Sequence, residues 1–144
     1  MLGLDYGDKC IGVAVSDPLG YSAQGLETIC RRDEASVKKS VARIGEIIKF
    51  YGVKTIVLGY PKNMDGSEGE RCLKTAAFKE RLLRNFKRVE VVLWDERLTT
   101  AAARRAMEGA NRAERGALAD HIDQIAAALI LNGYLEYIAK NNKT

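Results

Sequence analysis

The chain has 144 residues, 47% of them hydrophobic and 29% charged, with a net charge of +4. That suits one soluble domain with a core of its own. No apolar run reaches the length of a membrane span. Nucleic acid is a permitted partner that this mild basicity does not demand.

The opening stretch, MLGLDYGDKCIGVAVSD, reads as a β-hairpin. Leu2 and Leu4 alternate with small or polar residues, Tyr6-Gly7-Asp8-Lys9 supplies the turn, and Ile11, Val13 and Val15 resume a period of two. Asp5 stands at the end of an apolar strand, where an unpaired carboxylate is costly to desolvate. Pro18-Leu19-Gly20 marks a turn, and 24–29 a third strand closed by Arg31-Arg32-Asp33. From about Glu34 to Tyr51, Val37, Val41, Ile44, Ile48 and Tyr51 form one helical face, and Gly52 is a stop. Residues 55–59 are continuously apolar, as in a strand buried on both faces.

The loop YPKNMDGSEG (60–69) follows. Ser67 and Glu70 have the spacing of a capping box, which starts a helix near Glu68 and carries it to Phe86, with Leu73, Ala76, Ala77, Leu82, Leu83 and Phe86 inward. Residues 89–94 form a further strand. Thr99 or Thr100 caps a short Ala-rich helix ending near Gly109, 111–119 is polar, and a last helix runs from about Asp120 to Ala139. Leading antiparallel strands followed by α/β units predict one domain over 1–144: a mixed sheet with helices on both faces. Ligands in such sheets bind beyond the carboxyl ends of the parallel strands. Three scattered cysteines, Cys10, Cys30 and Cys72, with no C-x-x-C spacing argue against a disulfide framework or a thiolate metal site. The N-terminus has no signal-peptide pattern, so a reducing cytoplasm is the expected compartment.

Four acids carry the expected chemistry. Asp5 ends the first strand, Asp95 and Glu96 end the last, and Asp123 lies in the first turn of the final helix. Acids gathered without a matching set of bases make a hard-oxygen site for Mg²⁺ or Mn²⁺. Such a site hydrolyses phosphodiesters without a histidine base, and the single histidine, His121, reads as a first-turn surface residue. On spacing alone each acid also fits a plainer role. Asp5 suits a turn cap, Asp95 and Glu96 a surface pair with Arg97, and Asp123 the helix dipole. The 60–69 loop leads into a helix N-terminus, an anion-binding arrangement with Ser67, Lys62 and Arg71 at hand. Lys9, Arg97, Arg104 and Arg105 complete the expected nucleic-acid contacts, the last two in a basic segment that continues to Arg112 and Arg115.

Four blocks resemble the YqgF (RuvX) family of ribonuclease H-like nucleases: LGLDYG with IGVAVSD (2–17), GYPKNMDGSEG (59–69), WDERLTT (94–100) and IDQIAAALIL (122–131). They occur in the family's order and span nearly the whole chain. The resemblance implies the ribonuclease H-like fold, with a five-stranded mixed sheet, and a two-metal carboxylate site. It maps the family's acids to Asp5, Asp123 and the Asp95-Glu96 pair, leaving open which of the pair binds metal. It further implies trimming of the 5′ end of pre-16S ribosomal RNA, or, by the family's older label, resolution of four-way DNA junctions. A resolvase needs paired sites in a dimer, whereas a monomer or weak homodimer suffices for the RNA reading. A noncatalytic RNA-binding protein and a nucleotide-binding module are the remaining alternatives. The latter lacks, at this length, the second domain that closes over a nucleotide.

Overall fold

The computed structural model describes residues 1–33, 36–63, 65–96 and 122–141. In chain order these form β1 (Leu2–Tyr6), β2 (Cys10–Ser16), β3 (Ala23–Cys30), α1 (Val37–Tyr51), β4 (Thr55–Tyr60), α2 (Glu70–Asn85), β5 (Glu90–Asp95) and α3 (Ile122–Asn141). The sheet order is β3-β2-β1-β4-β5. β1, β2 and β3 pair antiparallel in succession, while β4 pairs parallel with both β1 and β5. This is the expected mixed five-stranded sheet led by a hairpin. The carboxyl ends of β1, β4 and β5 therefore share one edge.

Strand alternation divides the core in two. On one face Leu2, Leu4, Ile11 and Val13 pack with Val41, Ile44 and Ile47 of α1 and Phe78 and Leu82 of α2. On the other, Ala14 and Val57 meet Ala127, Ile130, Leu131 and Leu135 of α3. This second face is lined with small residues. A Cβ at Gly3 would lie 2.8 Å from both the Ala127 carbonyl oxygen and Leu131 Cβ, and one at Gly25 would lie 2.9 Å from Gln124 Cβ. Glycine in these strands lets α3 settle almost onto the sheet backbone.

Several local expectations shift. In α1 the buried residues are Ser40, Val41, Ile44 and Ile47, and Tyr51, expected inward, is 45% exposed. The helix does end at Gly52, which adopts the left-handed φ of 64°. α2 begins at Glu70 with Gly69 as its N-cap and no side-chain cap. Ser67 is not a capping residue, because its hydroxyl is engaged within the loop: it donates to Asp65 Oδ1 at 2.6 Å and accepts from Asn63 Nδ2 at 3.0 Å. The inward face of α2 also turns. Cys72, Thr75, Phe78 and Leu82 are buried, while Leu73 is 73% exposed. Phe78 stacks on Tyr6 with ring centroids 4.2 Å apart, and that large contact sets the helix phase.

The cysteine expectation is corrected as well. Cys10 and Cys30 are Cα partners across β2 and β3 and are joined by a disulfide, and Cys72 is free and buried. Twenty residues separate the pair in sequence, and only the antiparallel register sets them opposite each other. The expected Ala-rich helix, the polar 111–119 stretch, Asp120 and His121 lie outside the described residues, as do Arg97, Thr99, Thr100, Arg104, Arg105, Arg112 and Arg115. No helix among the described residues is long and apolar enough to cross a membrane.

Candidate active site

Asp5 is the penultimate residue of β1 and shares its face with Gly3, the side covered by α3. Its cross-strand partner is Gly12. A Cβ at Gly12 would collide with the backbone carbonyl of Asp123, so the absence of a side chain there is what brings the start of α3 beside β1. The charge of Asp123 acts on Asp5 as a result.

Glu96 follows β5 immediately. Its backbone N–H donates to the Tyr60 carbonyl at 3.2 Å, which ties the end of β5 to the end of β4. The side chain turns inward and is only 8% exposed. Its Oε2 occupies the space a Cβ would take at Gly59. There it hydrogen-bonds Asp5. Glu96 is thus the member of the Asp95-Glu96 pair that meets Asp5, and Asp95 acts on Glu96 through its charge.

The electrostatics follow from crowding. Burial raises the Glu96 pKa most, and the charge of Asp5 and their mutual hydrogen bond add to it; Arg71 opposes and Asp95 reinforces, leaving it at about 8. Asp5 is raised too, again chiefly by burial, with the Glu96 hydrogen bond and Arg71 lowering it and Asp123 raising it. At neutral pH one proton is therefore held between the two carboxyls, Glu96 donating and Asp5 accepting. Two like charges cannot both be kept at such a place without a cation.

Among the described residues no three acidic, histidine or cysteine side chains converge as a metal-holding group. The donors nonetheless suit a hard divalent ion. Asp5 and Glu96 offer carboxylate oxygens already in contact, with Asp123 and Asp95 within electrostatic reach. The proton between the pair supplies the kind of compensation an ion supplies.

The expected basic contacts separate. Arg71, in the first turn of α2, acts on both Asp5 and Glu96. Lys9 lies in the β1–β2 turn and Lys62 in the β4–α2 loop, both at the edge where the acids sit. Ser67 is held by Asp65 and Asn63 in that same loop. Arg97, Arg104 and Arg105 lie outside the described residues.

Three residues that support the site escaped the sequence reading. Gly12 and Gly59 make room for Asp123 and Glu96; the available signal was glycine inside an otherwise apolar strand. Arg31 is 8% exposed, lies over the Tyr6 ring at 4.9 Å, and donates from Nη2 to the Gly7 carbonyl at 2.8 Å. It pins the turn that follows Asp5. In the sequence it looks like any turn arginine.

A family described as RuvX, Holliday junction resolvase, matches residues 1–137. A protein of Acetivibrio thermocellus is 49% identical over 138 residues, covering 94% of each chain, and one of Agathobacter rectalis is 50% identical over 143 residues, covering 98% of this chain and 97% of the relative. Both bear the name "Putative pre-16S rRNA nuclease". Among solved structures, Thermus thermophilus RuvC in complex with a Holliday junction substrate superposes with a TM-score of 0.53 at 21% identity, covering 90% of this chain and 89% of that one. The fowlpox virus Holliday junction resolvase gives 0.52 at 15% identity, covering 95% and 97%. At those identities the likeness is one of fold, and the fold is ribonuclease H-like.

Proposed function

The chain belongs to the RuvX family, and on that premise we propose that it is a divalent-metal-dependent nuclease that acts on ribosomal RNA precursor, in the 5′-end processing of pre-16S rRNA. The observation that carries the reading is the Asp5–Glu96 pair, a buried carboxyl in contact with a half-buried one at the carboxyl edge of the parallel strands. Buried acids without a cation weaken a fold, so their placement is a cost that a bound ion offsets. The names of the relatives from Acetivibrio thermocellus and Agathobacter rectalis support the RNA substrate and, with it, a cytoplasmic setting.

In this reading Asp5, Glu96 and Asp123 hold the metal, with Asp95 as a further candidate. When bound, Mg²⁺ or Mn²⁺ supplies Lewis acidity for an attacking water and for the leaving oxygen. Glu96 would give up the shared proton to hold such an ion, so metal affinity should rise with pH. Arg71 offsets the negative charge of the acids and lies where a phosphate reaches them. Gly12 and Gly59 position Asp123 and Glu96, and Arg31 holds the turn after Asp5 against displacement. Lys9 and Lys62 meet flanking phosphates, and Arg97, Arg104 and Arg105 are further contacts.

The family's description favours a second reading, cleavage of a four-way DNA junction. It requires two sites in a dimer, whereas the RNA reading is met by a monomer or weak homodimer. The deciding experiment incubates purified protein with precursor rRNA and with a four-way junction, each with Mg²⁺, Mn²⁺ or chelator, and maps the product ends. Metal-dependent cuts at the precursor's 5′ side support the first reading. Paired symmetric nicks in the junction, with a stable dimer by light scattering, support the second. No cleavage of either by a folded protein overturns both.

A further inference from the structure

We propose that Cys10 and Cys30 form a reversible redox site at the rim of the acid cluster, a disulfide that small thiols open and close and that sets how firmly the turn behind Asp5 is held. Cys10 opens β2 and Cys30 closes β3, and the two are Cα partners joined by the disulfide. Side chains alternate along a strand. Ala14 packs beneath α3, so Gly12 and Cys10 lie on that face too, the face of Asp5 and Glu96. Gly12 is the cross-strand partner of Asp5 and packs against the Asp123 backbone, and Cys10 is the next residue of β2 on that face. The bridge is also within reach of solvent. β3 is an edge strand of the described sheet, Cys30 is exposed and Cys10 half-buried. Exposed disulfides are the labile and regulatory ones, and in a reducing cytoplasm a disulfide is usually transient; that compartment rests on the RNA reading above.

What the bridge controls follows from its neighbour. Arg31 is next to Cys30 and turns to the opposite face, so the two grip the β1–β2 turn from both sides of the sheet. The Arg31 backbone N–H donates to the Lys9 carbonyl at 2.8 Å, and its Nη2 to the Gly7 carbonyl at 2.8 Å. The Gly7 N–H donates to the Cys10 carbonyl at 2.9 Å. Arg31 Nε and Nη1 are shut off from solvent with no hydrogen-bond partner. A buried cation with unmet donors gains by moving out to water. At the end of an edge strand few bonds resist that movement, and the disulfide is the covalent one. Opening it is thiol–disulfide exchange. A small thiolate attacks the exposed Cys30 sulfur, forming a mixed disulfide and releasing Cys10 as thiolate. A second small thiolate attacks the sulfur of the first and releases Cys30. Two small thiols become one small disulfide, and their two electrons and two protons end on the two cysteines. The same couple run backwards closes the bridge. With it open, Arg31 reaches water more often, Gly7 loses its clamp, and Asp5, two residues back, is held less firmly against Glu96.

The test equilibrates the parent, without denaturant and in chelator, in buffers of a small thiol and its disulfide at varied ratio. Samples are quenched in acid, unfolded, alkylated and weighed. A reversible step should appear between one free thiol, that of Cys72, and three. Hydrogen exchange on the two end states should show the Gly7 and Arg31 amides about 5-fold or more faster on reduction, beyond any change at Leu58 of β4, whose strand is paired on both sides and reports global opening. Cys30→Ser should give the reduced parent's rates at both amides in every buffer. Mg²⁺ prefers oxygen to thiolate, so it reads the link to the acids. If the closed bridge tightens Mg²⁺ binding about 5-fold or more, Mg²⁺ must by reciprocity shift the midpoint toward the bridged form by the same factor. A bridge that small thiols cannot open without denaturant overturns the proposal, as does an open bridge with Gly7 and Arg31 no faster than Leu58. Mg²⁺ that binds and leaves the midpoint unmoved overturns the link to the acids. If thiol count and exchange respond while Mg²⁺ does not bind and RNA stays uncut, the metal reading falls and the redox site stands. If the parent cuts RNA with Mg²⁺ and neither responds, the reverse holds.

Discussion

Asp5→Asn probes both the chemistry and the electrostatics of the acid pair. Glu96 has a folded-state pKa of about 8, against an ordinary 4.5. Between those values the native state holds a proton that the unfolded chain has released, so in chelator the stability of the parent falls as pH rises through this window. The slope approaches that of one proton, on the order of 1 kcal/mol per pH unit, and levels off above pH 8. Burial is the largest cause of the shift and the Asp5 charge the second. Asparagine removes the second and leaves the first. The fall should therefore persist in the variant but end at lower pH, leaving the variant more stable than the parent at pH 8 by about 1 kcal/mol. At this chain length that amounts to roughly 3–4 °C in Tm. Metal should reverse the order. An ion at a hundred times its Kd stabilises the parent by about 2.7 kcal/mol, and the variant, short of one ligand, much less. Cleavage should be lost while RNA binding is retained. Melting curves from pH 5 to 9, with chelator and with millimolar Mg²⁺ or Mn²⁺, read all of this beside a cleavage assay. A variant whose pH profile and metal response match the parent's, and which still cuts, refutes the carboxylate site.

Gly59→Ala should push Glu96 and Ile130 away from β4, where the new methyl meets Glu96 Oε2 and Ile130 Cδ1; overpacking of this kind costs about 1–3 kcal/mol. Denaturant melts should show that loss together with weaker metal stabilisation, and an unchanged metal response would separate Gly59 from the site. Reduction of the Cys10–Cys30 disulfide, or Cys10→Ser with Cys30→Ser, should lower stability by about 2–4 kcal/mol, measured as the difference in denaturation midpoint with and without reductant. Arg104→Ala with Arg105→Ala should reduce the salt slope of single-stranded RNA binding by about 1.4; an unchanged slope moves the binding surface away from that segment. Arg31→Lys keeps the charge but loses the planar group over Tyr6, so turnover should fall while the affinity for RNA in chelator stays near the parent's; a parent-like turnover would remove Arg31 from the site's support.

Among the described residues the elements and their order were legible because they are local. A period of two in Leu2 to Val15 and a period near 3.6 in Val37 to Ile48 are written in neighbouring residues, and the hairpin followed by alternating helices and strands leaves few ways to build a sheet. The edge that holds the acids follows from that topology, and Asp5 stood out because a carboxylate at an apolar strand's end is expensive. Contacts between distant segments were not legible. The Ser67–Glu70 spacing matched a capping box, but Asp65 and Asn63 claimed the hydroxyl first. Leu73 matched an inward position, yet the Tyr6–Phe78 stack turned the helix. Glu96 rather than Asp95 meets Asp5 because the β4–β5 register aligns Asp95 with Tyr60 and the next residue turns in over Gly59. Cys10 faces Cys30 through the β2–β3 register alone. Residue type and spacing along the chain determine which segments become strands and helices. Register, helix phase and the gaps left by single glycines depend on what each segment packs against, and those partners are distant in the sequence.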